Sequence, residues 1–151
     1  PEVFEVLDEA RRLAMWTKLL APDAPAGCCF LLVEIDGMLV GVGGAGTTTH
    51  PAYGGRAQIS LVYVSPGHQR AGIGRRLMHA LTLWLIEQGH RGVALGVVDG
   101  NTPAISFYEA LGGRRIGSYE DPGPIWRSHN LVYAWDDLAT LVSATASQPD
   151  R

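Results

Sequence analysis

Apolar residues recur along the chain at two periods. In the opening stretch PEVFEVLDEARRLAMWTKLL, Val3, Val6, Leu7, Ala10, Leu13, Ala14, Thr17 and Leu20 fall at helical spacing, with Pro1 at a favoured first helical position. APDAPAG ends that helix. From Cys28 the period shortens. CCFLLVEI and MLVGVGGAGTT flank Asp36-Gly37, a dipeptide that predicts a hairpin turn between two strands. HPAYGG is a loop, and AQISLVYV is the strongest β segment, closed by SPG. HQRAGIGRRLMHALTLWLIEQG then predicts a long helix with Ile73, Leu77, Ala80, Leu81, Trp84, Leu85 and Gln88 on one face and Gly89 as its stop. GVALGVV is apolar throughout, the pattern of a strand covered on both faces. Thr102 predicts an N-cap, with Pro103 as the first residue of a helix PAISFYEAL that stops at Gly112-Gly113. RRIGSYE and NLVYAWDDL predict two closing strands around DPGPIWRSH, and SATASQPDR a frayed polar tail.

The predicted order is α β β β α β α β β. Early antiparallel hairpins, a strand–helix–strand crossover and a closing hairpin imply an α/β fold, a mixed central sheet with helices on both faces. It forms a single domain over residues 1–140, with 141–151 as a polar C-terminal tail. At 151 residues and 46% hydrophobic the chain can bury one sizeable core, and its net charge of −3 argues against a general electrostatic grip on nucleic acid or anionic membrane. The two cysteines, Cys28 and Cys29, are adjacent on a strand and point to opposite faces, so they predict free thiols in a reducing setting. No metal site is expected. No apolar run reaches the roughly 18 residues of a membrane span, and the acidic, amphipathic start is unlike a signal peptide, so a cytoplasmic location is expected. The chain begins at Pro1 rather than Met.

Two glycine stretches carry candidate chemistry. GVGGAG places Gly41, Gly43 and Gly46 at the G-x-G-x-x-G spacing of a dinucleotide fingerprint. That fingerprint needs a helix immediately after the glycines, and TTTHPAYGGR cannot start one. The second stretch, VSPGHQRAGIGRRL, follows the strongest strand and opens the strongest helix, with Gly72 and Gly74 at the junction. The first amides of a helix lack internal partners and favour anions, and Arg70, Arg75 and Arg76 add local positive charge. No Lys-Ser/Thr follows, so the stretch is not a Walker loop.

The spacing Gln69-x-x-Gly72-x-Gly74 is Q/R-x-x-G-x-G/A, and here the chain resembles the GNAT superfamily of N-acetyltransferases. LVYVSPGHQRAGIGRRLMHAL is similar to that family's central strand, pyrophosphate loop and helix. GVALGVVDGNTPAISFYEALGG is similar to its next strand and helix, with Asn101, Ala104, Tyr108 and Gly112 at N-x-x-A-x-x-x-Y-x-x-x-G spacing. The resemblance covers about residues 1 to 138 and implies acetyl-CoA as cofactor, held where two central parallel strands splay. It implies that the backbone of Val62, Tyr63 and Val64 meets the pantetheine arm. The amides of Gln69, Arg70, Ala71, Gly72, Ile73, Gly74 and Arg75 would hold the pyrophosphate. Asn101, Ala104, Phe107 and Tyr108 would line the cofactor from the next helix.

For the chemistry, an amine attacking a thioester needs a neutral nitrogen, a donor for the developing oxyanion and a proton for the leaving thiolate. A backbone N–H near Val64 suits the second role. By the resemblance Tyr108 is the proton donor; by helix pattern alone it packs beside Phe107. Many relatives place a glutamate where this chain has Gln58, which cannot take a proton, so the base is left among Glu34, His50 and a held water. The family also opens with a strand where this chain opens with a helix. The loop EDPGPIWRSHN is expected to border the acceptor, with Trp126 as a flat wall, Arg127 as a carboxylate fork and Glu120 or Asp121 drawing an ammonium. The implied reaction is acetyl transfer to a primary amine of a small molecule or amino acid. The alternatives are a protein or peptide acceptor, and a non-catalytic acyl-CoA-binding module. Exposed strand edges leave a homodimer open.

Overall fold

The computed structural model describes residues 27–124 and 126–146. The expected N-terminal helix lies outside them. Six strands form one sheet: β1 (Cys28–Ile35), β2 (Met38–Gly46), β3 (Ala57–Val64), β4 (Val93–Val98), β5 (Arg114–Asp121) and β6 (Ser128–Trp135). Their spatial order is β1-β2-β3-β4-β6-β5, with only the β3–β4 pair parallel. Three helices accompany them: α1 (Ile73–Glu87), α2 (Thr102–Ala110) and α3 (Leu138–Thr145).

The main core lies between the sheet and these helices. Val93, Leu95 and Val97 of β4 and Leu131, Tyr133 and Trp135 of β6 meet Met78, Leu81 and Leu85 of α1 and Leu138 and Leu141 of α3. Met78, Leu81, Leu85 and Leu141 are fully buried, and each such side chain contributes about 1.5–3 kcal/mol relative to exposure. A smaller cluster of Tyr53, Ala94, Val132 and Ala134 covers the opposite face of the sheet. No described helix is long and apolar enough to cross a membrane.

Several expectations shift. The buried face of α1 runs through Met78 and Thr82, whose hydroxyl donates to Met78 O at 2.6 Å, while Ala80 and Gln88 are exposed. Asn101, not Thr102, caps α2, and Pro103 is its second residue. The last strand ends at Trp135 rather than Leu138, and a helix replaces the start of the expected tail. Asp137 caps it by accepting from Ala139 N, and Leu138, Leu141 and Thr145 form its buried i, i+3, i+7 face.

The GVGGAG stretch has a packing explanation. A Cβ at Gly41 would stand 3.0 Å from Ile73 Cγ2, and one at Gly43 would stand 3.0 Å from Leu81 Cδ1 and 3.3 Å from Leu77 Cδ2. These glycines let α1 lie directly on the β2 backbone. Valine at position 43 is therefore expected to force α1 outward and lower stability by about 1–3 kcal/mol, the usual cost of overpacking. Urea unfolding of Gly43→Val should show a lower midpoint with an unchanged slope.

Candidate functional site

The central strands separate early. The β3–β4 ladder comprises Ala57↔Val93 and Gln58↔Ala94 and goes no further. On β3, Gly44 of β2 opposes Leu61 while Ala45 opposes Ile59, so Ser60 is an extra residue at a bulge. A bulge bends its strand, and this one sits two residues past the last pair with β4. Beyond it the chain directions are fixed by the neighbours. Ser65 N donates to Val40 O at 2.8 Å, so Ser65 and, by alternation, Tyr63 face β2, while the N–H and C=O of Val62 and Val64 face the gap. Asp99 N donates to His129 O at 2.9 Å, so by the same alternation Gly96 and Val98 turn their backbone groups away from β6 into the gap. The gap is thus a V whose two strands no longer pair with each other; of its gap-facing groups, Val98 O accepts from Asn101 N at 3.0 Å.

At the wide end of the V, the chain turns into α1. Pro66–His68 forms a short 3-10 turn, tied by a 3.0 Å hydrogen bond between Ser65 Oγ and His68 Nδ1. Gln69 Nε2 donates to Val64 O at 3.4 Å. Arg70 and Gly72 both adopt positive φ, 65° and 79°. This left-handed kinking aims successive amides toward one side. Among the described residues, no protein group accepts from the backbone amides of Arg70 through Arg75; the ladder of α1 starts with Arg76 N donating to Gly72 O at 3.0 Å. A Cβ at Gly72 would meet nothing within 4 Å, so the space before these amides is open. Arg70, Arg75 and Arg76 make no salt bridge among the described residues.

Helix α2 lies on the same face of the sheet. A Cβ at Gly74 would be 3.5 Å from Phe107 Cζ, so the first turn of α1 and the middle of α2 are in near contact. Asn101 Oδ1 accepts from Ala104 N at 3.4 Å, which caps α2 and leaves the Asn101 amide nitrogen exposed. Tyr108 is half-buried, its ring tilted against Phe107 at 5.3 Å and edge-on to Trp135 at 6.2 Å. Trp135 pairs with Val93 at the start of β4, so Tyr108 lies toward the narrow end of the V. Its hydroxyl has no hydrogen-bond partner among the described residues, and burial pushes its pKa above the ordinary tyrosine value.

The candidate bases separate. Glu34 is exposed and sits opposite Leu39, beyond the last β2–β3 pair at Gly41↔Val64, at the tip of the first hairpin. His50 lies on the face opposite the helices. Its Nδ1 accepts from Ala52 N at 3.2 Å, so the neutral ring carries its proton on Nε2 and offers no lone pair there. Of the expected acceptor loop, Trp126 and Arg127 are exposed, Glu120 accepts from His129 Nδ1 at 2.5 Å, and Asp121 Oδ1 accepts from Gly123 N at 3.1 Å. All four stand at the open end of the β5–β6 hairpin, where Asp121 pairs with Ser128, and among the described residues no ion pair links them to one another.

Sequence reasoning missed Tyr53 and Tyr119. With His50 they form an aromatic group, ring centroids 4.5–6.2 Å apart, whose hydroxyls approach at 3.4 Å. The signal was Gly96, a lone glycine inside an apolar strand, which marks a close approach. A Cβ there would fall 2.5 Å from Tyr119 Oη.

Comparison with known proteins agrees with this geometry. The profile of the Acetyltransferase (GNAT) family matches residues 2–113. The chain is 39% identical over 95 residues to a mycothiol acetyltransferase from Arthrobacter sp. (strain FB24), covering 60% of this chain and 28% of that protein. It is 33% identical over 95 residues to phosphinothricin N-acetyltransferase from Streptomyces viridochromogenes, covering 62% and 51%. The chain thus spans about half or less of these relatives' lengths. Among solved structures, the ribosomal-protein-alanine N-acetyltransferase from Brucella melitensis superposes with a TM-score of 0.66 at 24% identity, over 87% of this chain and 81% of that one. The V between parallel strands, the open amides at its mouth and the family match over most of the sequence together place this chain in the GNAT family of acetyltransferases.

Proposed function

We propose that the protein is an acetyl-CoA-dependent N-acetyltransferase that acts on the primary amine of a small molecule. The observation that carries this reading is the continuity of the V with the amide loop. Gap-facing backbone at Val62, Val64, Gly96 and Val98, which has no strand partner across the gap, runs up to the open amides of Arg70–Arg75. A strand-like arm ending in a pyrophosphate matches both parts: added-strand pairing takes the arm, and helix-start amides take the anion. Bound acetyl-CoA supplies the acetyl thioester. The small size of Gly72 and Gly74 keeps the approach to the amides clear, and Arg70, Arg75 and Arg76 add attraction. Gln69 steadies the loop through Val64 O, and the exposed Asn101 amide is placed to donate to the arm.

The narrow end is where the reaction is assigned. Val62 carries the first gap-facing N–H after the Ser60 bulge, so it is the better oxyanion donor than Val64, which stands near the mouth. Nitrogen–carbon bond formation and carbon–sulfur cleavage leave a thiolate, and Tyr108 donates the proton that converts it to a thiol. Burial keeps Tyr108 protonated, which suits a donor. With Glu34 remote and His50 lacking a free lone pair, the amine's proton leaves through water held on gap-facing carbonyls. The mycothiol and phosphinothricin acetyltransferases among the relatives favour a small acceptor over a protein.

Two measurements test this. Gly72→Glu puts a carboxylate before the open amides, and Gly72→Ala imposes the same positive-φ cost of about 1–2 kcal/mol without the charge. Calorimetric titration with acetyl-CoA should show about 100-fold or greater loss for Glu and less than about tenfold for Ala, the difference being the charge repulsion. Equal losses would remove the pyrophosphate from this loop. Tyr108→Phe should keep its melting temperature, because the hydroxyl has no hydrogen-bond partner among the described residues. Its kcat should fall by about 10²–10⁴, the usual share of general-acid catalysis. A kcat within about twofold of wild type, with chemistry rate-limiting, would leave Tyr108 as packing.

A further inference from the structure

On the face of the sheet opposite the helices, the narrow end of the V meets a set of side chains with no assigned role. Tyr119 reaches from β5 across β6 to β4 and sets its hydroxyl where a side chain at Gly96 would stand. Gly96 is two residues past Ala94, the last β4 residue paired with β3. Tyr53, 6% exposed, brings its hydroxyl to 3.4 Å from that of Tyr119. His50 stacks on Tyr53 at 4.7 Å and tilts against Tyr119 at 4.5 Å. Asn130, directly across from Tyr119 on β6, is buried and spends its amide N–H on Ser128 Oγ at 3.0 Å.

Either hydroxyl can donate across the 3.4 Å between them. Burial, and then this bond, hold the Tyr53 phenol well above its ordinary pKa, against a smaller opposing effect of the Gly96 backbone. When Tyr53 donates, the half-buried Tyr119 accepts and keeps its own proton to donate outward. A hydroxyl that accepts one bond becomes a better donor in the next. The nearby charges are engaged elsewhere: Glu120 with His129, Asp121 with the Gly123 amide, and Arg56 and Arg114 both with Asp136. Among the described residues neither tyrosine hydroxyl has a cationic hydrogen-bond partner.

We propose that Tyr119, supported by Tyr53 and His50, positions the acyl acceptor by donating to an uncharged oxygen next to its amine, so that amino alcohols and amino amides are preferred over free amino acids. This rests on the V holding the thioester. Tyr119 is a positioning residue: it orients the nitrogen and takes no part in bond making. A carboxylate at that oxygen gains one hydrogen bond but loses its hydration without a cation to replace it, which costs more than the bond returns.

The experiment measures thiol release from acetyl-CoA with serinol, glycinamide and glycine as acceptors, beside calorimetric titration of acetyl-CoA alone. Wild type should show kcat/KM about tenfold or more higher for serinol and glycinamide than for glycine. Tyr119→Phe keeps the ring and removes the hydroxyl. It should lower kcat/KM for serinol and glycinamide about tenfold, chiefly through KM, and leave glycine, acetyl-CoA affinity and melting temperature within about twofold. If that variant is destabilised, Tyr53→Phe removes the supporting hydroxyl while keeping Tyr119, and should lower kcat/KM for serinol and glycinamide in the same direction while acetyl-CoA affinity stays within about twofold. A preference for glycine, no release with any of the three by a protein that binds acetyl-CoA, or a Tyr119→Phe profile like wild type would each overturn the proposal. Failure of wild type to bind acetyl-CoA would instead overturn the cofactor reading, and calorimetry reports that separately.

Discussion

Parallel strands β3 and β4 share two residue pairs and then diverge, and the rest of the candidate site depends on that divergence. A central strand normally spends its backbone donors and acceptors on both neighbours. Here each strand keeps one neighbour, β2 or β6, and leaves the inner row without a strand partner. The bulge at Ser60 bends β3 just where pairing stops, so the separation is built into the register and does not need a displaced loop. An edge of this kind inside a sheet is open to an extended ligand, and both walls can pair with it.

The divergence would be idle without a helix start placed at its mouth. That placement traces to glycines that bind nothing. Gly41 and Gly43 let α1 settle on β2, which fixes where Ile73 and the open amides before it stand relative to the end of β3. Phe107 closes in from α2 on the first turn of α1, where a Cβ at Gly74 would make an ordinary contact at 3.5 Å, and this joins the two helices over the same end of the sheet. Bulk at either place would move the amide loop rather than block it. The GVGGAG stretch therefore serves the candidate site through packing, one step removed from contact.

Much of this was legible in the sequence because local signals and global order agreed. AQISLVYV became β3 at its expected residues, and the glycine pair after it opened α1. The splay was not legible from periodicity, since a strand of apolar residues reads alike whether or not its inner edge is paired. It came through the family resemblance alone. The closing helix escaped because Leu138, Leu141 and Thr145 carry a three-and-four spacing spread over only two turns among small residues, too short to announce a period. Tyr53 and Tyr119 escaped for a different reason. They lie 66 residues apart and meet only because β5 pairs on the far side of β6, a long-range consequence of topology.

The two faces of the V differ in chemistry, and the difference fits the order of a transfer reaction. The helix face offers unpartnered amides and three arginines, suited to an anionic donor, and carries Tyr108 on α2. The opposite face offers Tyr53, Tyr119 and Asn130, polar without a net charge to spend. The amine adds to one face of the thioester plane while the sulfur lies in that plane, so the two are served by groups in different places. Tyr108 and Tyr119 stand on the two faces of the V near the same narrow end, because Trp135 anchors one at the start of β4 and Gly96 admits the other two residues past the last β3 pair. On the proposed reading, a single short ladder brings together two substrates of unlike charge while keeping their binding groups apart, and the sheet itself is the partition.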